Sequence, residues 1–238
     1  MTASPVSRAA KPPSRVRTAL RRNGLSLVIT FMFLASMAGQ IVAGASQYND
    51  DRAAHGEPPI ALNAYLTTGH FLEAAAENWE SEFLQMAAYV LLTVSLFQNG
   101  SSESKKLDRM ESVDRDPRAS RGKNLENAPW PVRRGGWVLT VYENSLSVAF
   151  LLLFLISFLL HAAGGVRIHN EEALAHGGPP ISVLTYLGTP QFWFESFQNW
   201  QSEFLSLVAM VVLSIFLRQR GSPESKPVDA PHHQTGSE

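Results

Sequence analysis

Two carboxylates stand where apolar helices begin, and the residues around them recur. Asn78-Trp79-Glu80-Ser81-Glu82-Phe83-Leu84 leads into an apolar segment ending at Phe97. Asn199-Trp200-Gln201-Ser202-Glu203-Phe204-Leu205 leads into one ending at Leu217. An ionisable group at membrane depth is a functional candidate by default, because an unpartnered charge in hydrocarbon is costly. Glu82 and Glu203, with Asn78 and Asn199 one turn earlier on the same helical face, form a candidate ion or polar site. The alternative is structural: acids at the headgroup level complement the positive end of a helix dipole. Trp79 and Trp200 have the character of interfacial anchors.

Other polar residues offer less. His55 and His176, with Glu57 in the first copy only, have donor atoms for a metal. Their spacing matches no metal motif, however, and the Gly-x-Pro-Pro after each reads as a turn. His161 aligns with Gln40 inside an apolar run and is expected to hydrogen-bond between helices. No second histidine is placed for bis-axial haem ligation. The chain has no cysteine, which excludes disulfides, thiolate catalysis and Cys-based metal sites. There is no nucleophile elbow, phosphate loop or paired catalytic carboxylate motif. The expectation is a protein that is not an enzyme, with no metal and no cofactor assigned. A net charge of −1 supplies no field for nucleic acid.

The elements that carry these residues are duplicated. Asn23 aligns with Asn144, and Lys105 with Lys226, at a constant offset of 121 residues without a gap. Identical pairs include Ser36/Ser157, Asn49/Asn170, His55/His176, Tyr65/Tyr186, Phe71/Phe192 and Glu82/Glu203. Such a repeat sets the architecture. Leu25 to Ala45 is long enough to span a bilayer, which takes about 20 helical residues. It follows a basic arm and ends in Ala43-Gly44-Ala45, features shared with cleaved signal peptides. Its counterpart from Leu146 to Ala163 lies in mid-chain, where a cleavable signal has no role, so both are read as anchors. Phe83 to Phe97 has 15 residues. That is about 22 Å of helix against a hydrocarbon core of about 30 Å. The span is therefore expected to begin near Asn78, with Glu82 just inside the boundary.

Charge sets the orientation. Of the 20 Lys and Arg, 18 lie in the N-terminal arm, the central linker and the C-terminal tail. The segments between paired spans carry only Arg52 and Arg167. The positive-inside rule then puts both termini and the linker in the cytoplasm. The expected fold is all-α and multi-pass, with four membrane-spanning helices as two parallel tandem hairpins related by an axis along the membrane normal. The expected divisions are a disordered basic arm (1–22), a first two-span repeat (23–105), a charged cytoplasmic linker (106–143), a second repeat (144–226) and a disordered tail (227–238).

A set of motifs carries a resemblance. Asn23-Gly24-Leu25-Ser26, His55-Gly56-Glu57-Pro58-Pro59, Gly69-His70-Phe71-Leu72-Glu73, Glu77 to Met86 and Glu103-Ser104-Lys105 resemble a family of small bacterial integral membrane proteins classed as a domain of unknown function. The second copy departs from it: Gly39-Gln40 becomes Leu160-His161, Gly69-His70 becomes Pro190-Gln191, and Glu73 becomes Phe194. The resemblance implies a bacterial cytoplasmic (plasma) membrane location and carries no reaction. Two functions are compatible with these features. One binds or conducts a small ion or solute between the hairpins. The other is structural or regulatory, with the linker and tails engaging cytoplasmic partners or anionic lipid. Gly39, Ala43, Gly44, Gly164 and Gly165 allow close helix approach, within the chain or in a homo-oligomer.

Overall fold

The computed structural model describes residues 20–119 and 127–236. Most of the basic arm, residues 120–126 of the linker and the end of the tail lie outside the described residues, and the expected disorder of the arm lies there with them. Among the described residues the protein is all-helical, with no strand. The helices are α1 (Gly24–Ala54), α2 (Leu62–Tyr65), α3 (Gly69–Ser95), α4 (Trp130–Arg134), α5 (Gly136–Glu143), α6 (Ser145–Ala175), α7 (Val183–Tyr186) and α8 (Pro190–Phe216). A 3₁₀ turn covers Ser112–Asp114.

Helix lengths recur with the sequence alignment. Helices α1 and α6 have 31 residues each, α2 and α7 have 4, and α3 and α8 have 27. Helices α1, α6 and α8 are long and apolar enough to cross a membrane. Helix α3 equals α8 in length, but Glu73, Glu77, Glu80 and Glu82 lower its apolarity. Both α1 and α6 run past their apolar stretches into polar sequence. No Gly or Pro interrupts either helix there until Gly56 and Gly177, which take the left-handed conformation at φ 75° and 74°, where the missing Cβ removes the steric cost. Threonines start the next long helices: Thr68 Oγ1 accepts from Phe71 N at 3.2 Å and Thr189 Oγ1 from Phe192 N at 3.3 Å. Each satisfies one of the otherwise unpaired N–H groups of a helix start.

The chain divides into two compact units, one ending at Thr67 and the other running from Thr68. In the first, α2 folds back on α1. The Tyr65 ring is buried, 5.8 Å from the Tyr48 ring, with its hydroxyl at Gly44 where any Cβ would collide. The Asn49 side chain donates to Ile60 O at 3.1 Å and accepts from Ile60 N at 2.8 Å. This clamp closes the turn that begins at Gly56.

In the second unit, α3 packs along α6 and, less extensively, along α8. Glycines set the α3–α6 distance. A Cβ on Gly164 would lie 2.5 Å from Glu73 N, and one on Gly69 would lie 2.9 Å from Gly164 O. Side chains at these positions would force the backbones apart. The apolar core is Ala162, Val166, Tyr186 and Phe192, flanked by Phe158, Ile181 and Leu187. Asn170 clamps Ile181 at 3.0 and 2.7 Å, as Asn49 clamps Ile60.

The segment after α3 is locally structured. Lys105 pairs with Asp114 at 2.6 Å, and Asp114 and Glu111 cap the 3₁₀ turn reciprocally. Farther on, Arg118 makes a two-pronged contact with Glu143 at 2.6 and 2.7 Å. Lys226, which aligns with Lys105, is instead buried in a cage of carbonyls from Gly100, His232 and Gln234. Burial there lowers its pKa.

Candidate functional site

The polar residues of α3 recur at helical spacing. Glu73, Glu77, Ser81, Gln85, Tyr89 and Thr93 are four residues apart in succession, with Glu80 beside them. Positions four apart lie on one side of a helix. This stripe turns toward the protein: Glu80, Ser81 and Gln85 are buried. An acidic stripe packed against α6 and α8 accounts for a helix of membrane length that does not read as uniformly apolar.

Glu80 meets His161 from α6. Both side chains are 0% exposed, and His161 Nδ1 lies 2.8 Å from Glu80 Oε2. The other carboxylate oxygen, Oε1, accepts from the Trp200 indole N–H at 2.8 Å. An ionised carboxylate only accepts, so it fixes the imidazole with its proton on Nδ1. The opposite ring nitrogen, Nε2, faces Glu195 Oε2 at 3.4 Å and Glu77 Oε2 at 3.9 Å. Phe192 lies against the imidazole face, with centroids 4.8 Å apart.

Besides His161, Glu195 is held from two sides. Tyr186 Oη donates to its Oε2 at 3.0 Å, and Gln191 donates to its Oε1 at 3.1 Å. Burial and the nearby Glu195 and Glu73 charges push the Tyr186 pKa far above the ordinary tyrosine value, so its hydroxyl stays a donor. Glu73 completes the group. A Cβ on Gly165 would lie 2.7 Å from Glu73 Oε1 and would also strike the Tyr186 hydroxyl. Gly165 therefore makes the space in which a tyrosine and a carboxylate meet. Donor atoms of Glu73, His161 and Glu195 lie within 4.8 Å of one another. Glu77 and Glu195 are partly exposed, with side-chain accessibilities of 26% and 22%. The buried pair thus has a half-open carboxylate mouth.

The residues singled out by sequence are distributed around this cluster. Glu82 is exposed and Glu203 half-buried, close enough for their charges to interact. The Glu203 carbonyl, rather than its carboxylate, accepts from Gln85 Nε2 at 2.7 Å. Asn78 hydrogen-bonds within its own helix, to Ala74 O at 2.8 Å. Asn199 donates to Glu195 O at 3.1 Å, and its amide also reaches Glu77. Trp79 is exposed, whereas Trp200 turns its N–H onto Glu80. His161 makes the interhelical hydrogen bonds expected of it. Glu77, Glu80 and Glu195 carry the charge that faces His161 yet were not singled out. One sequence signal does mark them. Their positions in the other copy are Gln198, Gln201 and Ala74, and those of Glu73 and His161 are Phe194 and Gln40. The cluster lies where the two aligned halves of the sequence differ.

A family model described as Domain of unknown function (DUF6766) matches residues 16–237. The chain belongs to this family. The match takes in every residue of the cluster. No curated protein and no solved structure matches the chain.

Proposed function

We propose that this protein is a four-span membrane protein that binds a cation, a proton or a metal ion, at the carboxylate–histidine cluster and passes it along the α3–α8 seam. The single observation that carries this reading is the wholly buried Glu80–His161 pair with Glu73, Glu77 and Glu195 beside it. Charges so placed are costly unless paired or compensated by a positive species. Helix α3 serves as the fourth span, about 40 Å long at 27 residues. Glu73, Glu77 and Glu80 face α6 and α8 rather than lipid, and Glu82 alone of its carboxylates is exposed. The chain is read as an internal duplication of a two-span hairpin, with termini and linker cytoplasmic in a bacterial plasma membrane. In that orientation His161 lies about 24 Å along α6 from its cytoplasmic end, so the half-open carboxylates face the outer side. Polar groups continue inward from there: Gln85 of α3 to Ser206 of α8 at 2.7 Å, then, through the segment after α3, Tyr89 to Glu103 at 2.6 Å and Ser101 to Ser214 at 2.8 Å. The site binds and transfers, and no enzymatic reaction is assigned to it.

Proteoliposomes carrying the purified full chain test the reading. Glu77→Gln and Glu195→Gln are each expected to lower cation or proton uptake at least tenfold. Loss of uptake confined to the Glu82→Gln/Glu203→Gln pair would move the site to those residues and overturn the assignment.

A second reading, engagement of anionic lipid or a cytoplasmic protein, is favoured by one feature. Leu107, Met110 and Val113 are exposed at 80%, 79% and 74% among Lys106, Arg109 and Arg115. Apolar side chains amid bases suit a negatively charged membrane surface, where each base contributes about 1 kcal/mol. Replacing the three by serine is expected to reduce co-purified anionic lipid. Unchanged lipid with an unchanged set of co-purifying proteins would remove this reading.

A further inference from the structure

We infer that the cation held by the cluster is a divalent transition-metal ion of borderline hardness, of the zinc, manganese, iron(II) or cobalt class, ligated by Glu73, His161 Nε2 and Glu195. This rests on the cation-binding reading above and specifies its ligand. The geometry around His161 carries it. Glu80 accepts from the Nδ1–H at 2.8 Å, so Nε2 is the ring nitrogen turned toward the other carboxylates and, once it gives up its own proton, the one free to ligate. A carboxylate behind a histidine is how proteins orient a metal-ligating imidazole and raise its basicity. Here that carboxylate is itself wholly buried and fixed by Trp200.

The spacing on the Nε2 side agrees. The separation of 3.4 Å from Glu195 Oε2 exceeds the about 2.7–2.9 Å of a charge-assisted hydrogen bond. Two ligands of a tetrahedral ion at bond lengths of about 2.0–2.1 Å stand about 3.3–3.4 Å apart. In the metal-free protein a proton on Nε2 bridges this contact to Glu195, and a metal ion entering between the two groups takes that proton's place. The third ligand, Glu73, keeps all three donor atoms within 4.8 Å, one side-chain adjustment from closure on a single ion. Gly165 leaves the space for it, and Tyr186 and Gln191 hold Glu195 in place. One imidazole and two carboxylates select neither a soft copper(I) ion nor the all-oxygen shells of calcium and magnesium. Three protein ligands leave a position open, on the side of Glu77, through which an ion can arrive and depart.

The test uses the full-length protein in detergent, stripped with a chelator and titrated with Co²⁺, whose visible absorption reports its coordination, then with Zn²⁺ as competitor. One Co²⁺ per chain with the bands of a nitrogen–oxygen site is expected, displaced by Zn²⁺. His161→Gln and Glu195→Gln should each weaken binding 100-fold or more. Glu80→Gln, which removes only the orienting group, should weaken it 10- to 100-fold. Glu82→Gln should leave it unchanged. Thermal unfolding of each variant shows whether it has folded, and the His161→Gln/Glu80→Gln double variant, which copies Gln40 and Gln201, supplies a neutral replacement of the buried pair. Absent stoichiometric binding, or binding that survives both His161→Gln and Glu195→Gln, overturns the metal site. Uptake in proteoliposomes without Co²⁺ binding would sink the metal and keep proton passage. Co²⁺ binding without any uptake would keep the metal site and sink passage.

Discussion

The two halves of the chain that align at the 121-residue offset share local structure and differ in their charge. Tyr65 over Gly44 is matched by Tyr186 over Gly165, and the Asn49–Ile60 clamp by Asn170–Ile181. The threonine caps and the helix lengths agree as well. At the cluster the agreement stops, because Gln40, Ala74, Phe194, Gln198 and Gln201 align with His161, Glu195, Glu73, Glu77 and Glu80. Three of the carboxylates come from the first copy, while the histidine and the fourth carboxylate come from the second. Scaffold residues repeat because each hairpin must close its own turn. The cluster is single because its contributions meet where α3 packs against α6 and α8.

The largest expected effect breaks this asymmetry. His161→Leu strands the Glu80 carboxylate in a wholly buried place, and removing one partner of a buried ion pair costs about 3–5 kcal/mol. Adding Glu80→Gln should restore most of that stability, and thermal unfolding in detergent measures both. A double variant no more stable than His161→Leu would show that the pair does not account for the loss.

Next is Gly164→Ala, which installs the residue found at Ala43 in the other copy. Its Cβ meets the backbone of Glu73 at 2.5 Å. Overpacking of this kind costs about 1–3 kcal/mol, and it should disturb cation binding at the same time. The reverse exchange, Ala43→Gly, should cost about 1 kcal/mol of helix propensity and leave binding untouched. Equal effects on binding would deny the two positions their difference.

A smaller pair sharpens the shared part. Asn49→Ala and Asn170→Ala each remove two hydrogen bonds to one backbone residue, so each is expected to cost about 1–2 kcal/mol. Unfolding should show similar losses for the two. A loss in only one would mean that the turns are not equivalent.

The smallest effect concerns Lys105 and Lys226, aligned residues in unlike settings. The Lys105 hydrogen bond, then the backbone N–H of Glu111, holds the Asp114 pKa below its usual 3.8. A lowered carboxylate pKa means that Asp114 stabilises the fold above the unfolded value and that this contribution is lost as pH falls through the folded one. NMR titration of labelled aspartate should find its midpoint below 3.8, returning to the ordinary range in Lys105→Met. An unshifted midpoint in the parent protein would remove the ion pair from solution.

Much of the scaffold was legible in the sequence. The apolar runs locate the helices and the Gly-x-Pro-Pro turns mark where α1 and α6 stop, about ten residues beyond the ends of their apolar runs. The site was harder to read, for a physical reason. Glu82 and Glu203 stand out because they are identical in both copies and sit at an expected membrane boundary. Burial depends on which helix faces which, and periodicity within one helix does not encode that. Glu73, Glu77 and Glu80 become one surface only when Gly164 and Gly165 let α6 lie against α3. Trp200 looks like an interfacial anchor until its N–H is seen on Glu80. Positions where the two aligned halves exchange glutamine or an apolar residue for an ionisable one hold the signal that points to the cluster.

The most direct test is uptake by proteoliposomes of the parent protein and of the His161→Gln/Glu80→Gln variant, which puts at each position the neutral glutamine found 121 residues away. The account expects cation or proton uptake by the parent and none by the variant, with both proteins folded and inserted alike. Equal uptake by the two would contradict a site built on the buried Glu80–His161 pair.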